Sequence, residues 1–199
     1  MDMADGQMMA AVEPPRSGFG VTLERSTLER ARRGDMDAFA TIYDRYGGAC
    51  YTLALRVLGD RASAEDVVQD VFLKMFATVR GYRGEAPFGA WLKRLAANAT
   101  IDVLRGRRRF HEDDAESLVD ALSVQADTAG EQSDAWTLLM RLPPRARAVL
   151  VLHQVEGYTH RELAALFGQS ESWSKSVLAR ALKRLGGSDA AAREDDDDE

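Results

Sequence analysis

Residues 156–185 read EGYTHRELAALFGQSESWSKSVLARALKRL, and this stretch decides the fold. Thr159 is a good N-cap, and Glu162 three residues later completes a capping box. Leu163, Ala164, Leu166 and Phe167 supply the apolar stripe of a short helix that Gly168 ends as a C-cap. Ser170 can cap a second helix, which carries Lys175, Arg180, Lys183 and Arg184. Two helices about a tight turn, the second basic, make a helix-turn-helix whose second helix can lie in the DNA major groove. Many glycine-linked helix pairs are only structural; the caps and the basic second helix favour DNA contact here.

Immediately upstream, Pro143 and Pro144 open a helix at its first turn, with Val149, Leu150, Leu152 and Val155 facing inward as far as Gly157. Residues 136–186 therefore form one helical module. Residues 110–135 are acidic and poor in aromatics, which predicts a flexible linker. A first module fills 23–109. A short helix is expected over 23–33, then one capped by Asp35 with Phe39, Ile42, Tyr43 and Tyr46 at helical spacing. Gly47-Gly48 marks a kink before a second stretch that ends at Gly59. Ser63 caps the next helix, with Val67, Val68, Val71, Phe72, Met75 and Phe76 on its inner side. Residues 80–89, with three glycines and Pro87, form a loop; a helix then runs from Phe88 to the arginines at 105–109. Residues 1–22 read as disordered and 187–199 as an acidic tail. No strand alternation or internal repeat is present. The fold class is all-α, with two small helical domains joined by a flexible acidic linker.

A chain of 199 residues, 45% hydrophobic and 29% charged, has the composition of an ordinary soluble protein. The N-terminus is not a signal peptide, and no apolar run reaches the roughly 20 residues of a membrane span. No membrane contact of its own is expected. Cys50 is the only cysteine, so no internal disulfide can form, and a cytoplasmic protein is expected. Its apolar neighbours predict a buried thiol. The net charge of −6 hides a strong pattern. Residues 80–109 carry eight Arg/Lys against Glu85 and Asp102, a net of +6; residues 136–186 carry eight against three acids, a net of +5. The segment 110–135 holds eight acids and no Arg or Lys, and 187–199 holds seven acids against Arg193. Local charge is what a phosphate backbone feels, so both modules suit nucleic acid.

The run RGRRR at 105–109 complements a helix C-terminus, but four arginines exceed that need and favour phosphate contact. Tyr82, Phe88 and Trp91 stand beside Arg80 and Arg83, a mixture suited to stacking and neutralising an unpaired strand. The alternative is that Phe88 and Trp91 are core residues at a helix start, a reading at least as strong as stacking for Trp91. His111, His153 and His160 lack metal-site spacing, and no nucleophile triad, phosphate-binding glycine loop or paired carboxylate stands out. Neither enzyme chemistry nor a cofactor is expected.

The order of parts resembles the extracytoplasmic-function (ECF) sigma factors, small two-domain members of the sigma-70 family, over about residues 28–185. AEDVVQDVFLKMF, YRGEAPFGAWLKRLAANATIDVLRGRRR, LPPRARAVLVLHQVEGYTHRELAALFG and SESWSKSVLARALKRL carry the resemblance together. It implies two all-helical domains, sigma region 2 and sigma region 4. It implies that the helix at 66–76 meets the clamp helices of bacterial core RNA polymerase through Asp66, Gln69 and Asp70. It assigns the melted −10 promoter element to Arg80, Tyr82, Arg83, Phe88, Arg94, Asn98, Arg105, Arg107, Arg108 and Arg109. It assigns the double-stranded −35 element to Thr159, Ser170, Ser172, Trp173, Lys175, Ser176, Arg180, Lys183 and Arg184. An anti-sigma factor is the further partner it implies, and the linker would thread near the polymerase active site. Trp173, Ser174 and Val177 depart from the common pattern of the recognition helix. Rival readings are a stand-alone regulator, which leaves the first module unexplained, and a decoy for an anti-sigma factor, which needs neither RGRRR nor the aromatic loop. The tail reads either as a solubilising segment or as a mask folded back on the basic helix through residues 186–188.

Overall fold

The computed structural model describes residues 18–109 and 134–194, with the backbone alone at 108, 109, 134 and 187–194. Among these residues all regular structure is helical. The first module comprises α1 (Arg25–Arg32), α2 (Met36–Leu58), α3 (Arg61–Thr78) and α4 (Phe88–Arg109). Asp35 caps α2, its carboxylate accepting from the backbone N–H groups of Asp37 and Ala38 at 3.0 and 3.2 Å. Gly59 ends α2 in the left-handed region at φ 79. Ile42, Tyr46, Leu53 and Val57 of α2 meet Val67, Val71 and Met75 of α3 and Leu92 and Ile101 of α4 in a closed core. Cys50 lies fully within it, and burial pushes its thiol up to about 12, which makes it unreactive.

Several expectations give way to packing. No break occurs at Gly47-Gly48: α2 is one helix of 23 residues. Burial of Tyr46, Cys50 and Leu53 on either side outweighs the roughly 1 kcal/mol per glycine that favours a break. The cap of α3 is Asp60 rather than Ser63; the Asp60 carboxylate accepts from the Ser63 N–H at 3.0 Å. Phe76 is half exposed beside Phe39 at 4.5 Å, not on the inner side. Residues 18–22, expected to be disordered, are docked. Phe19 is buried in a 3-10 turn (Gly18–Gly20), and the Tyr46 hydroxyl donates to the Val21 carbonyl at 2.6 Å. Residues 1–17 and the linker expected at 110–135, apart from its last two residues, lie outside the described residues.

The second module comprises α5 (Asp134–Met140), α6 (Pro144–Leu150), a π-helical turn (Val151–Val155), α7 (His160–Phe167) and α8 (Glu171–Glu194). Pro144 opens α6, where a missing N–H is harmless. The expected joint at 186–188 is absent, because α8 continues through it to Glu194. Three alanines at 190–192, the best helix formers, extend it. The C-terminal half of α2 and the body of α4 pack against α6, the π turn and α7, and buried side chains from both modules form one continuous apolar cluster.

Candidate nucleic-acid interface

The helix-turn-helix is built by local hydrogen bonds. The Thr159 hydroxyl accepts from the Glu162 N–H at 3.2 Å, and the Glu162 carboxylate accepts from the Thr159 N–H at 2.8 Å and its hydroxyl at 2.7 Å. These bonds hold the Glu162 carboxyl below the usual carboxylate range. Gly168 turns the chain at φ 64, and the Gln169 N–H reaches the Ala164 carbonyl at 2.9 Å. The Ser170 hydroxyl then accepts from the Trp173 N–H at 3.1 Å, starting α8.

The two sides of α8 differ in character, Leu182 being the large apolar side chain left exposed on it. Ser174, Val177, Leu178 and Ala181 are buried. Ser172, Lys175, Ser176, Ala179, Arg180, Lys183 and Arg184 are exposed. Trp173 is half-buried, its ring 5.2 Å from Phe167, so it braces the turn between α7 and α8. Ser174 takes the Nδ1 of His160 at 3.0 Å, and His160 stacks on His153 at 4.4 Å. The three departures from the family pattern, Trp173, Ser174 and Val177, therefore lie on the packing side. Thr159 and Ser170 are exposed at the helix starts.

In the first module, Arg94, Asn98 and Arg105 are exposed along α4, and Arg80 and Arg83 are exposed on the preceding loop. Tyr82 and Phe88, expected to stack on an unpaired strand or, for Phe88, to enter the core, are drawn inward. Both are buried, in a ring cluster with Tyr46 and Trp91 at centroid distances of 5.2–5.6 Å. Each such pair is worth about 0.5–1.5 kcal/mol beyond area burial, so the rings set the shape of the loop in this state. Arg107 donates to the Asp60 carboxylate and the Ser63 hydroxyl, tying α4 to the start of α3. The side chains of Arg108 and Arg109 lie outside the described residues. Asp66, Gln69 and Asp70 are all exposed on α3, joined by Leu73 at the next turn.

Two residues escaped the sequence reading. Arg32 donates to the Tyr82 carbonyl and lies 5.7 Å from its ring, which braces the loop from α1. Lys93 sits beside Arg94 but is turned into the second module. Only the neighbouring charge pattern hints at Lys93, and nothing local hints at Arg32.

The Sigma-70 region 2 family matches residues 42–110, and the Sigma-70, region 4 family matches 133–185. The ECF RNA polymerase sigma factor SigW of Bacillus subtilis is 29% identical over 175 residues, covering 81% of this chain and 94% of SigW. Among solved structures, CnrH in complex with the cytosolic domain of CnrY aligns with a TM-score of 0.52 at 27% identity, over 84% of this chain and 97% of that one. RpoE in complex with the anti-sigma factor NepR from Bartonella quintana shares the fold, with a TM-score of 0.51 at 23% identity over 74% of this chain and 93% of that one. The ECF RNA polymerase sigma factor SigM of Mycobacterium tuberculosis is 33% identical over 178 residues, 86% of this chain and 88% of SigM, and with both family regions present in order the chain belongs to the ECF sigma factors, the subunits through which RNA polymerase recognises promoters and starts transcription.

Proposed function

We propose that this sigma factor divides its work among three surfaces. The α3 face of Asp66, Gln69 and Asp70, extended by Leu73, docks on core polymerase. The loop cations Arg80 and Arg83, with Arg94, Asn98 and Arg105 on α4, engage the −10 element. The exposed side of α8, with Ser172, Lys175, Ser176, Arg180, Lys183 and Arg184, reads the −35 element. The observation that carries this division is the two-sidedness of α8: a buried packing side and a largely polar, cationic outer side on a helix whose start is capped by Ser170. That is the geometry of a recognition helix. Tyr82 and Phe88 support the loop from within and act on the melted strand through its shape.

CnrH was solved with the cytosolic domain of CnrY. An anti-sigma factor is the regulator proposed for this chain, and the cytoplasm, where polymerase works, is its place of action. Run-off transcription with bacterial core polymerase and genomic DNA tests the reading. Discrete transcripts that require the added chain support it, and no transcript above core polymerase alone would overturn it.

A further inference from the structure

Tyr82 uses every polar group it has on the chain itself. Its N–H donates to the Val79 carbonyl at 3.2 Å, its hydroxyl donates to the Ala86 carbonyl, and its own carbonyl accepts from the Arg32 guanidinium. The hydroxyl bond closes residues 82–86 into a small ring of chain, with Arg83, Gly84 and Glu85 exposed at its tip. The Tyr82 ring meets Phe88 and Trp91 at 5.6 and 5.2 Å, so the loop is held by both backbone and side chain.

Two segments from the start of the chain hold this frame. Arg32, the last residue of α1, is the first: besides bonding the Tyr82 carbonyl, it lies over the Tyr82 ring at 5.7 Å. Its Nε is buried and has no hydrogen-bond partner among the described residues. A buried donor left unbonded is unfavourable, and an apolar side chain would pack α1 without that cost. What the arginine adds is its hold on the loop. The 3-10 turn at Gly18–Gly20 is the second segment. Its Phe19 carbonyl lies against Gly89 in the first turn of α4, and the Tyr46 hydroxyl holds the Val21 carbonyl at 2.6 Å. Arg45 adds a bond from its Nη1 to the Thr22 carbonyl at 2.5 Å. The same Tyr46 packs its ring on Phe88 at 5.6 Å. Arg32 thus bears on the loop where it begins, and the turn bears on it, through Tyr46, where it ends.

We infer that Arg32 is a positioning residue for promoter opening: with the N-terminal 3-10 turn, linked through Tyr46, it presets the loop from Tyr82 to Phe88 in the shape that takes an unpaired strand, without touching DNA itself. A loop ordered by the fold needs no ordering when the strand arrives, which favours capture. Duplex DNA keeps its bases stacked and paired, so the brace acts on opening rather than on first binding. The inference rests on this loop being part of the −10 surface.

The test uses the full chain with core polymerase and a promoter fragment mapped by run-off with the unmodified protein. A fluorescent adenine analogue in the −10 element reports unstacking, and circular dichroism checks folding. Arg32→Met keeps the stem and removes the charge and the donors; Arg32→Lys returns a cation and a donor. Arg32→Met should bind core polymerase, and the duplex fragment in the cold, as the unmodified chain does and with the same salt slope. Its fluorescence should rise about tenfold more slowly, within the range that stacking of one base accounts for. Arg32→Lys should open the fragment within about threefold of the native rate, since a lysine can also lie over a tyrosine ring. A natively helical Arg32→Met that opens at the native rate would overturn the inference, as would Arg32→Lys no faster than Arg32→Met. A salt slope lowered by about one unit would also overturn it, because that marks a lost phosphate contact. If Arg32→Met loses helicity, Tyr46→Phe decides by the same rate and slope, since it keeps the ring on Phe88 and frees Val21. Arg83→Ala, at the exposed tip, separates the two claims. If it slows opening and Arg32→Met does not, only the inference falls; if neither slows opening, the −10 reading of the loop falls with it.

Discussion

A methyl group on Gly89 would lie 1.9 Å from the Phe19 carbonyl oxygen, far closer than a non-bonded carbon can approach. The first turn of α4 thus accepts the N-terminal 3-10 turn only because this position has no side chain. Gly89→Ala should expel that turn or tilt α4, with overpacking costs of about 1–3 kcal/mol, read as a lower melting temperature. His160 makes a second residue-scale prediction. Burial first, then the charges of His153 and Lys175, lower its pKa below 6.5, against an opposing pull from Glu171. A histidine with a depressed folded pKa stabilises fully above its unfolded pKa and loses that contribution as pH falls, because the unfolded chain takes the proton first. Between pH 7.5 and 5.5 the melting temperature should drop more for the native chain than for His160→Asn. Equal drops would show that the stacked pair has no part in acid sensitivity.

At the scale of elements, α8 separates stability from DNA contact. Arg180→Ala should lower the slope of log affinity against log salt by about one unit while the melting temperature holds, as loss of one phosphate contact requires. On α3, Asp70→Arg should weaken binding to core polymerase with helicity intact, since the side chain is exposed and makes no cap; an unchanged core-binding titration would remove Asp70 from the docking face. Elements held by local hydrogen bonds were readable in the sequence. The Thr159–Glu162 box and the Gly168 turn needed only neighbours three to five residues away. Where two good caps stood three residues apart, Asp60 and Ser63, the pattern alone favoured the wrong one. Both glycine pairs, at 47–48 and 186–187, looked like breaks, because the burial or the alanines that override them lie outside the pair. Tyr82 and Phe88 looked like stacking rings beside cations; Tyr46 and Arg32, which bury and brace them, come from distant segments.

For the whole molecule, the charge map marked two basic modules and an acidic interval, but not that the modules share a core. The contacts that join them link residues far apart in sequence: Arg147 to Val57 across 90 positions, Lys93 to Glu156 across 63. No spacing rule reaches that far, and a basic residue bound for protein looks the same in sequence as one bound for DNA. The continuous core also bears on how long an unbound molecule survives in the cell. Backbone at the contact between the two modules is exposed to cleavage only when that contact opens, so cleavage there follows the open population. Loosening the Arg147 contact should therefore speed cleavage at that contact, and limited proteolysis of Arg147→Leu beside the native chain should show it. The interface that joins the modules would in this way also set how quickly the protein is cleared, and with it the copy number.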